Sequence, residues 1–180
     1  MSNALADGVL ASCIDEFGKL KRMAERAIEQ LADEDLFFQL NPDQNSIYVI
    51  MKHMAGNMLS RWTDFLTSDG EKPWRHRDQE FIEEVVPRAQ VMEKWANGWE
   101  CVFAALRGMT GEDLARTIVI RGEKMSAFSA ISRQISHYGY HVGQIVLLAK
   151  HIKLSKSQDW KYLTIPRGKS QEFNQGMGHK

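Results

Sequence analysis

Apolar residues recur at spacings of three and four between residues 4 and 31, where Leu10, Cys13, Ile14, Phe17, Leu20, Met23, Ala24, Ala27, Ile28 and Leu31 fall on one stripe. That period predicts a long amphipathic helix with one buried face. A second stripe holds Ile47, Ile50, Met51, Met54, Met58, Leu59, Trp62 and Phe65. It predicts a helix capped by Asn45 or Ser46, after the turn signal Asn41-Pro42-Asp43, and running to about Ser68. A third begins at Pro87, since proline suits a helix's first turn, and runs to Gly108 with Val91, Met92, Trp95, Trp99, Val102, Phe103 and Leu106 inward. The fourth opens at Ser126 or Ala127 and continues to about His151, with Phe128, Ile131, Ile135, Tyr138, Val142, Ile145, Val146 and Ala149 as its stripe.

The connections differ in kind. Asp69 to Asp78 is polar and reads as a long loop crossing the end of the helices, and Gln79 to Val86 reads as a helical lead-in cut short by Pro87. Thr117-Ile-Val-Ile120, Arg121-Gly122 and Glu123-Lys-Met125 have the composition of a short β-hairpin. The tail carries Trp160, Tyr162, Leu163 and Ile165, which predict docking of its first part, and is expected to fray from about Gln175. Four long helices imply an all-α bundle, and 180 residues fit a single domain over residues 1–180.

Composition narrows the function. Lys plus Arg and Asp plus Glu are each 23, so the net charge is zero, which argues against a dedicated nucleic-acid binder or an anionic-membrane binder. Cys13 and Cys101 match no CxxC pattern and read as thiols of a reducing compartment. No signal-peptide pattern opens the chain and no apolar run approaches a membrane span, so a cytoplasmic location is expected.

The chemistry concentrates in the fourth helix. His137 and His141 stand one turn apart, so their imidazoles share a face and form a natural bidentate clamp. His53, in the second helix, is the remaining histidine placed to meet them, because His76 sits in a loop, His151 at a helix end and His179 in the tail. Three imidazoles with open positions would resemble a catalytic site of the zinc type, and would accept zinc or nickel first, with iron or manganese as alternatives. An HxxxH pair also arises by chance, so spacing alone leaves hydrogen-bonded core histidines as the other reading. Gly139 and Gly143 suggest close backbone approach or room for a ligand.

Other candidates carry a bland alternative each. Asn57 and Gln144 lie one turn from ligands and would orient them, or simply hydrogen-bond between helices. Tyr140 would line a pocket or face solvent, and Tyr138 reads as core. Arg61 would bind a substrate carboxylate or lie exposed. Arg167 and Lys169 would bring positive charge to a pocket mouth or form a solvated basic tail. Gly168-Lys169-Ser170 lacks the upstream glycine of a P-loop, so nucleotide hydrolysis is rejected. Met51, Met54 and Met58 read as adaptable core.

The stretches Lys52-His-Met-Ala-Gly-Asn-Met58, His137-Tyr-Gly-Tyr-His-Val-Gly-Gln-Ile145 and Ile165-Pro-Arg-Gly-Lys-Ser170 resemble the DinB/YfiT-like superfamily, and a bacterial branch of it of unknown function. The resemblance covers essentially the whole chain. It implies an antiparallel four-helix bundle, a homodimer, and a divalent metal ion on His53, His137 and His141. It also implies activation of a water or a low-molecular-weight thiol for S-transferase or hydrolase chemistry on a small electrophilic substrate. A non-catalytic metal-binding or stress-response module is the alternative, since one fold hosts many functions.

Overall fold

Serine hydroxyls start two of the four long helices. Ser46 Oγ accepts from the Val49 amide at 3.1 Å and Ser126 Oγ from the Ser129 amide at 3.0 Å, satisfying donors that a helix start leaves orphaned. The computed structural model of the chain describes residues 4–176. It is mostly helical, with α1 at Ala4–Ile28, α2 at Ile47–Trp62, α3 at Arg88–Arg107, α4 at Ala127–Ser155 and a short α5 at Ser170–Gly176. A two-stranded antiparallel sheet, β1 at Thr117–Ile120 and β2 at Glu123–Ser126, precedes α4. Short 3-10 turns lie at Glu34–Phe37, Arg77–Phe81 and Gly111–Ala115.

The stripes meet in one core. α1 packs on α4, α2 on both α3 and α4, and α3 on α1. The aromatic residues Phe17, Trp62, Trp95, Trp99 and Tyr138 are all within 2% of full burial and form its centre. Phe17 meets the Trp62 ring edge-on at 5.5 Å between centroids, and Trp99 meets Tyr138 at 5.7 Å, the tilted geometry that aromatic quadrupoles prefer. A Cβ on Gly98 would stand 3.1 Å from the Ala55 Cα, so glycine permits the close approach of α3 to α2. Arg88 donates to the carbonyls of Ile28 and Leu31, which closes the C-terminal end of α1. Among the described residues no helix is long and apolar enough to cross a membrane.

Several boundaries differ from the expectation. α2 stops at Trp62 rather than Ser68, because Thr63 is extended and Asp64 takes a positive φ of 51°. Phe65 is nevertheless buried, so the apolar stripe outlasts the helix. The segment 79–86 contributes only the end of a 3-10 turn before running extended, with Ile82 and Val85 exposed. α4 runs one turn beyond His151. In the tail, Trp160 and Leu163 pack on the core while Tyr162 and Ile165 stay exposed. Arg26 of α1 and Gln30, in the turn that follows it, hold the carbonyls of 161–163. Residues 175 and 176 belong to α5, and the rest of the segment expected to fray lies outside the described residues.

The hairpin is marginal by itself and is held from outside. Arg121 and Gly122 both have positive φ, 56° and 76°, as a two-residue primed turn requires. Their amides donate to the Asp69 carboxylate at 2.8 and 2.9 Å, and the Gly70 amide donates to the Val119 carbonyl at 2.8 Å. Ile118 and Ile120 are buried beneath. The tip of the hairpin is thereby tied to the loop that follows α2.

Gly143 faces open space, and the nearest atom to a Cβ on Gly139 would be Leu20 Cδ2 at 3.9 Å. No close backbone approach explains either glycine, so of the two expectations only open room beside the helix agrees with their surroundings. Gly143→Ala should therefore raise stability by about 0.5–1 kcal/mol, read as a higher urea midpoint, because alanine has the better helix propensity.

Candidate metal centre

Two turns of α4 and the second turn of α2 carry the three histidines into one cluster. His137 Nε2 stands 3.1 Å from His141 Nε2 and 3.4 Å from His53 Nε2. One ligand atom from each residue lies within 4.8 Å of the other two. With metal–nitrogen bonds of about 2.0–2.1 Å, ligand nitrogens around one ion stand roughly 3.0–3.4 Å apart, and the two pairs fall in that range. His53 and His141 are buried and His137 is half-buried.

The opposite ring nitrogens decide which atoms are free to bind. His53 Nδ1 donates to Glu80 Oε2 at 2.9 Å. Glu80 is ionised: burial opposes its charge, but the hydrogen bonds from His53 and Arg75 outweigh that and hold its carboxyl below the usual range. An ionised carboxylate only accepts, so His53 Nδ1 carries the proton. His141 Nδ1 donates to Gln144 Oε1 at 2.8 Å, and the same amide gives its N–H to the Tyr140 hydroxyl at 3.1 Å. His137 Nδ1 faces Gln134 Oε1 at 3.4 Å. In the neutral rings this arrangement leaves each Nε2 lone pair turned toward its neighbours. Three lone pairs converging without a proton repel, and a cation is the species that satisfies them. The residues fit a divalent ion, held by His53, His137 and His141, with ring orientation set by Glu80, Gln134 and Gln144.

Protonation is correspondingly disfavoured. Burial, then the neighbouring His141 and His53, push His137 down to about 3 from 6.5. Burial also lowers His141, partly offset by the bond to Gln144. The unfolded chain thus takes up these protons first, so the metal-free protein should lose stability as pH falls below 6.5, with the His137 share complete near 3. Glu80 adds to the loss only below 4.5, the ordinary value from which it is lowered. Urea midpoints of chelator-treated protein, at neutral pH and midway between 6.5 and 4.5, should differ more in wild type than in His137→Ala.

Glu80 was not legible beforehand, and neither was its support. Arg75 grips it with two parallel bonds, Nε to Oε1 and Nη2 to Oε2, each 2.8 Å, and its side chain is 2% exposed. Gly56 makes room for the pair, since a Cβ there would come within 2.2 Å of Glu80 Oε1. Both charged residues come from the segment read as loop and helical lead-in.

The remaining candidates scatter. His53, Asn57 and Arg61 share one face of α2 and line a cavity of about 270 Å³ that also touches His137. Asn57 supports no histidine: its Oδ1 accepts from the Tyr138 hydroxyl at 3.1 Å, which in turn accepts from Trp62 Nε1 at 3.0 Å. Arg61 is buried, not exposed, and is committed to the Gly70 carbonyl and to Glu71 Oε2 at 3.0 Å. Tyr140 is 64% exposed; its ring meets the His141 ring edge-on at 4.9 Å between centroids, and its hydroxyl accepts from Gln144. Lys169 pairs with Glu172 on α5, and neither it nor Arg167 lines the histidine cavity.

No curated protein matches the chain. A family model does match, over residues 4–169, and that span contains all three histidines together with Glu80, Arg75 and both glutamines. The chain belongs to the family described as "Protein of unknown function (DUF1572)".

Proposed function

We propose that this chain is a divalent-metal-dependent enzyme acting on a small molecule, with a water or a low-molecular-weight thiol as the nucleophile, in S-transferase or hydrolase chemistry. The observation that carries the reading is the convergence of three Nε2 atoms whose partner Nδ1 nitrogens each face a side-chain oxygen. A divalent ion there supplies Lewis acidity, favouring deprotonation of the water or thiol that reaches it. The chain's own contribution is to fix the ligand rings through Glu80, Gln134 and Gln144, and to offer a cavity walled by His53 and His137. A purely structural site would have all its positions filled by protein; three imidazoles beside an open cavity suit turnover better.

In this reading the four long helices form an antiparallel bundle of the DinB/YfiT-like kind, and zinc or nickel is the first expectation for the ion, ahead of iron or manganese. The homodimer is part of the same proposal. Tyr140, Leu147 and Leu154 lie seven residues apart on α4 and are 64%, 69% and 55% exposed, an apolar seam suited to a second copy. Elemental analysis of protein purified without added metal tests the centre, with about one equivalent per chain expected. Thiol-consumption and ester-hydrolysis assays of the loaded protein then test turnover. A chain that holds no added divalent ion overturns the reading; one that holds it and turns nothing over is a binding module.

A further inference from the structure

The cavity beside the histidines is lined by Arg61, Arg75, Arg77, Arg121 and Arg133, together with His53, Asn57, Gln134 and His137. Five guanidiniums on one small cavity are far more than a neutral chain needs there. Their partners are few. Glu80 serves Arg75, Glu71 is shared by Arg61 and Arg121, and Asp78, whose side chain is 98% exposed, lies 3.9 Å from Arg77. Arg133 makes no ion pair or side-chain hydrogen bond among the described residues. Asp69, which accepts from the Arg121 and Gly122 amides and lies in the field of Arg61, is a fourth carboxylate beside them, so the five guanidiniums keep one positive charge over, before any cation is added, and Arg133 is the one without a partner among the described residues.

The arginines are also positioned. Arg133 stands one turn before His137 on α4, so both face the same way. Arg77 lies over the Phe81 ring at 4.8 Å, and that ring lies 4.9 Å from His53. Arg121 rides on the hairpin tip that Asp69 clamps. Guanidiniums present paired donors that match a carboxylate or phosphate bidentately. A volume of about 270 Å³ is at the lower end of ligand cavities, so the guest is small.

We propose that the substrate of this centre is a small anion, held through a carboxylate or phosphate group by Arg133, Arg77 and Arg121, with its reacting end toward His53 and His137. The inference names the substrate class of the function proposed above and rests on it only for the direction of the reacting end. The anion subsite itself needs no metal ion.

Isothermal titration of the full chain, chelator-stripped and zinc-loaded, with inorganic phosphate, succinate and neutral succinamide tests it. Phosphate or succinate should bind the stripped wild type and succinamide should not. The double variant Arg77→Gln/Arg133→Gln, both exposed positions, should bind the anion at least tenfold more weakly, and Arg133→Lys should retain part of the affinity. Whichever anion binds more tightly names the group recognised. Absence of anion binding to the stripped protein overturns the proposal, as does equal binding by wild type and double variant. An anion that binds only the zinc-loaded form and ignores the arginine substitutions is a ligand of the ion, which overturns it too. Should zinc fail to load while arginine-dependent anion binding persists, the metal reading falls and the anion subsite stands.

Discussion

Replacing His137 by alanine should abolish tight metal binding while leaving the metal-free fold intact. The side chain is half-buried, and burial beside two other imidazoles makes its protonation costly. Below pH 6.5 alanine at this helix-interior position removes that burden and has the better helix propensity, so there chelator-treated His137→Ala should be at least as stable as chelator-treated wild type. Wild type at a free metal concentration of 100 to 1,000 times its dissociation constant should gain about 2.7–4 kcal/mol. The variant should gain almost none at the same concentration, because the loss of a direct ligand exceeds the roughly 10–100-fold cost of losing a supporting group. Thermal melts with and without added zinc measure both quantities. An unchanged metal-dependent shift in the variant would rule out His137 as a ligand, and a collapsed metal-free fold would make the histidine cluster structural.

The second large effect is expected at Glu80, which is not among the three candidate ligands. Glu80→Ala leaves the Arg75 guanidinium buried without a counter-charge and His53 Nδ1 without an acceptor. Breaking a buried pair from one side costs about 3–5 kcal/mol, and the freed imidazole should lower metal affinity by about 10–100-fold. Glu80→Gln keeps an oxygen for His53 and should be milder on both counts. Gly56→Ala separates the two effects, since its methyl group displaces Glu80 without removing any charge. Urea midpoints and competition against a chromophoric chelator would show the pattern. Equal metal affinity in all three variants would mean that ring orientation at His53 does not depend on this carboxylate.

These two residues mark where sequence reading succeeds and where it stops. His137 and His141 announce themselves because an i, i+4 spacing on an amphipathic helix leaves no doubt about a shared face. His53 follows from the same periodicity in α2. Glu80 sits in a segment with no regular period, among charged residues that read as solvated loop, and only tertiary packing takes it to 7% exposure. Gly56, three residues after His53, was the one local hint that something must press against that helix. Arg61 was misjudged for a related reason: nothing in an isolated α2 shows that the carbonyl of Gly70 folds back to cover it. Asp64 explains the early end of α2, because an aspartate in a left-handed conformation carries no signature as plain as glycine's. Arg133 was in plain view, one turn from His137, and its meaning appears only once Arg77 and Arg121 arrive from other parts of the chain.

The clamp of Asp69 on the hairpin tip has a consequence for how such proteins diverge. The histidines stand on helices packed round the aromatic core, while Arg77 and Arg121 are exposed side chains on two connecting segments. On the function and anion subsite proposed above, substitutions at Arg77 and Arg121 would exchange one guest for another while leaving the histidines, and the Arg75–Glu80 pair behind His53, in place. Positions 77 and 121 are where such a change would be written.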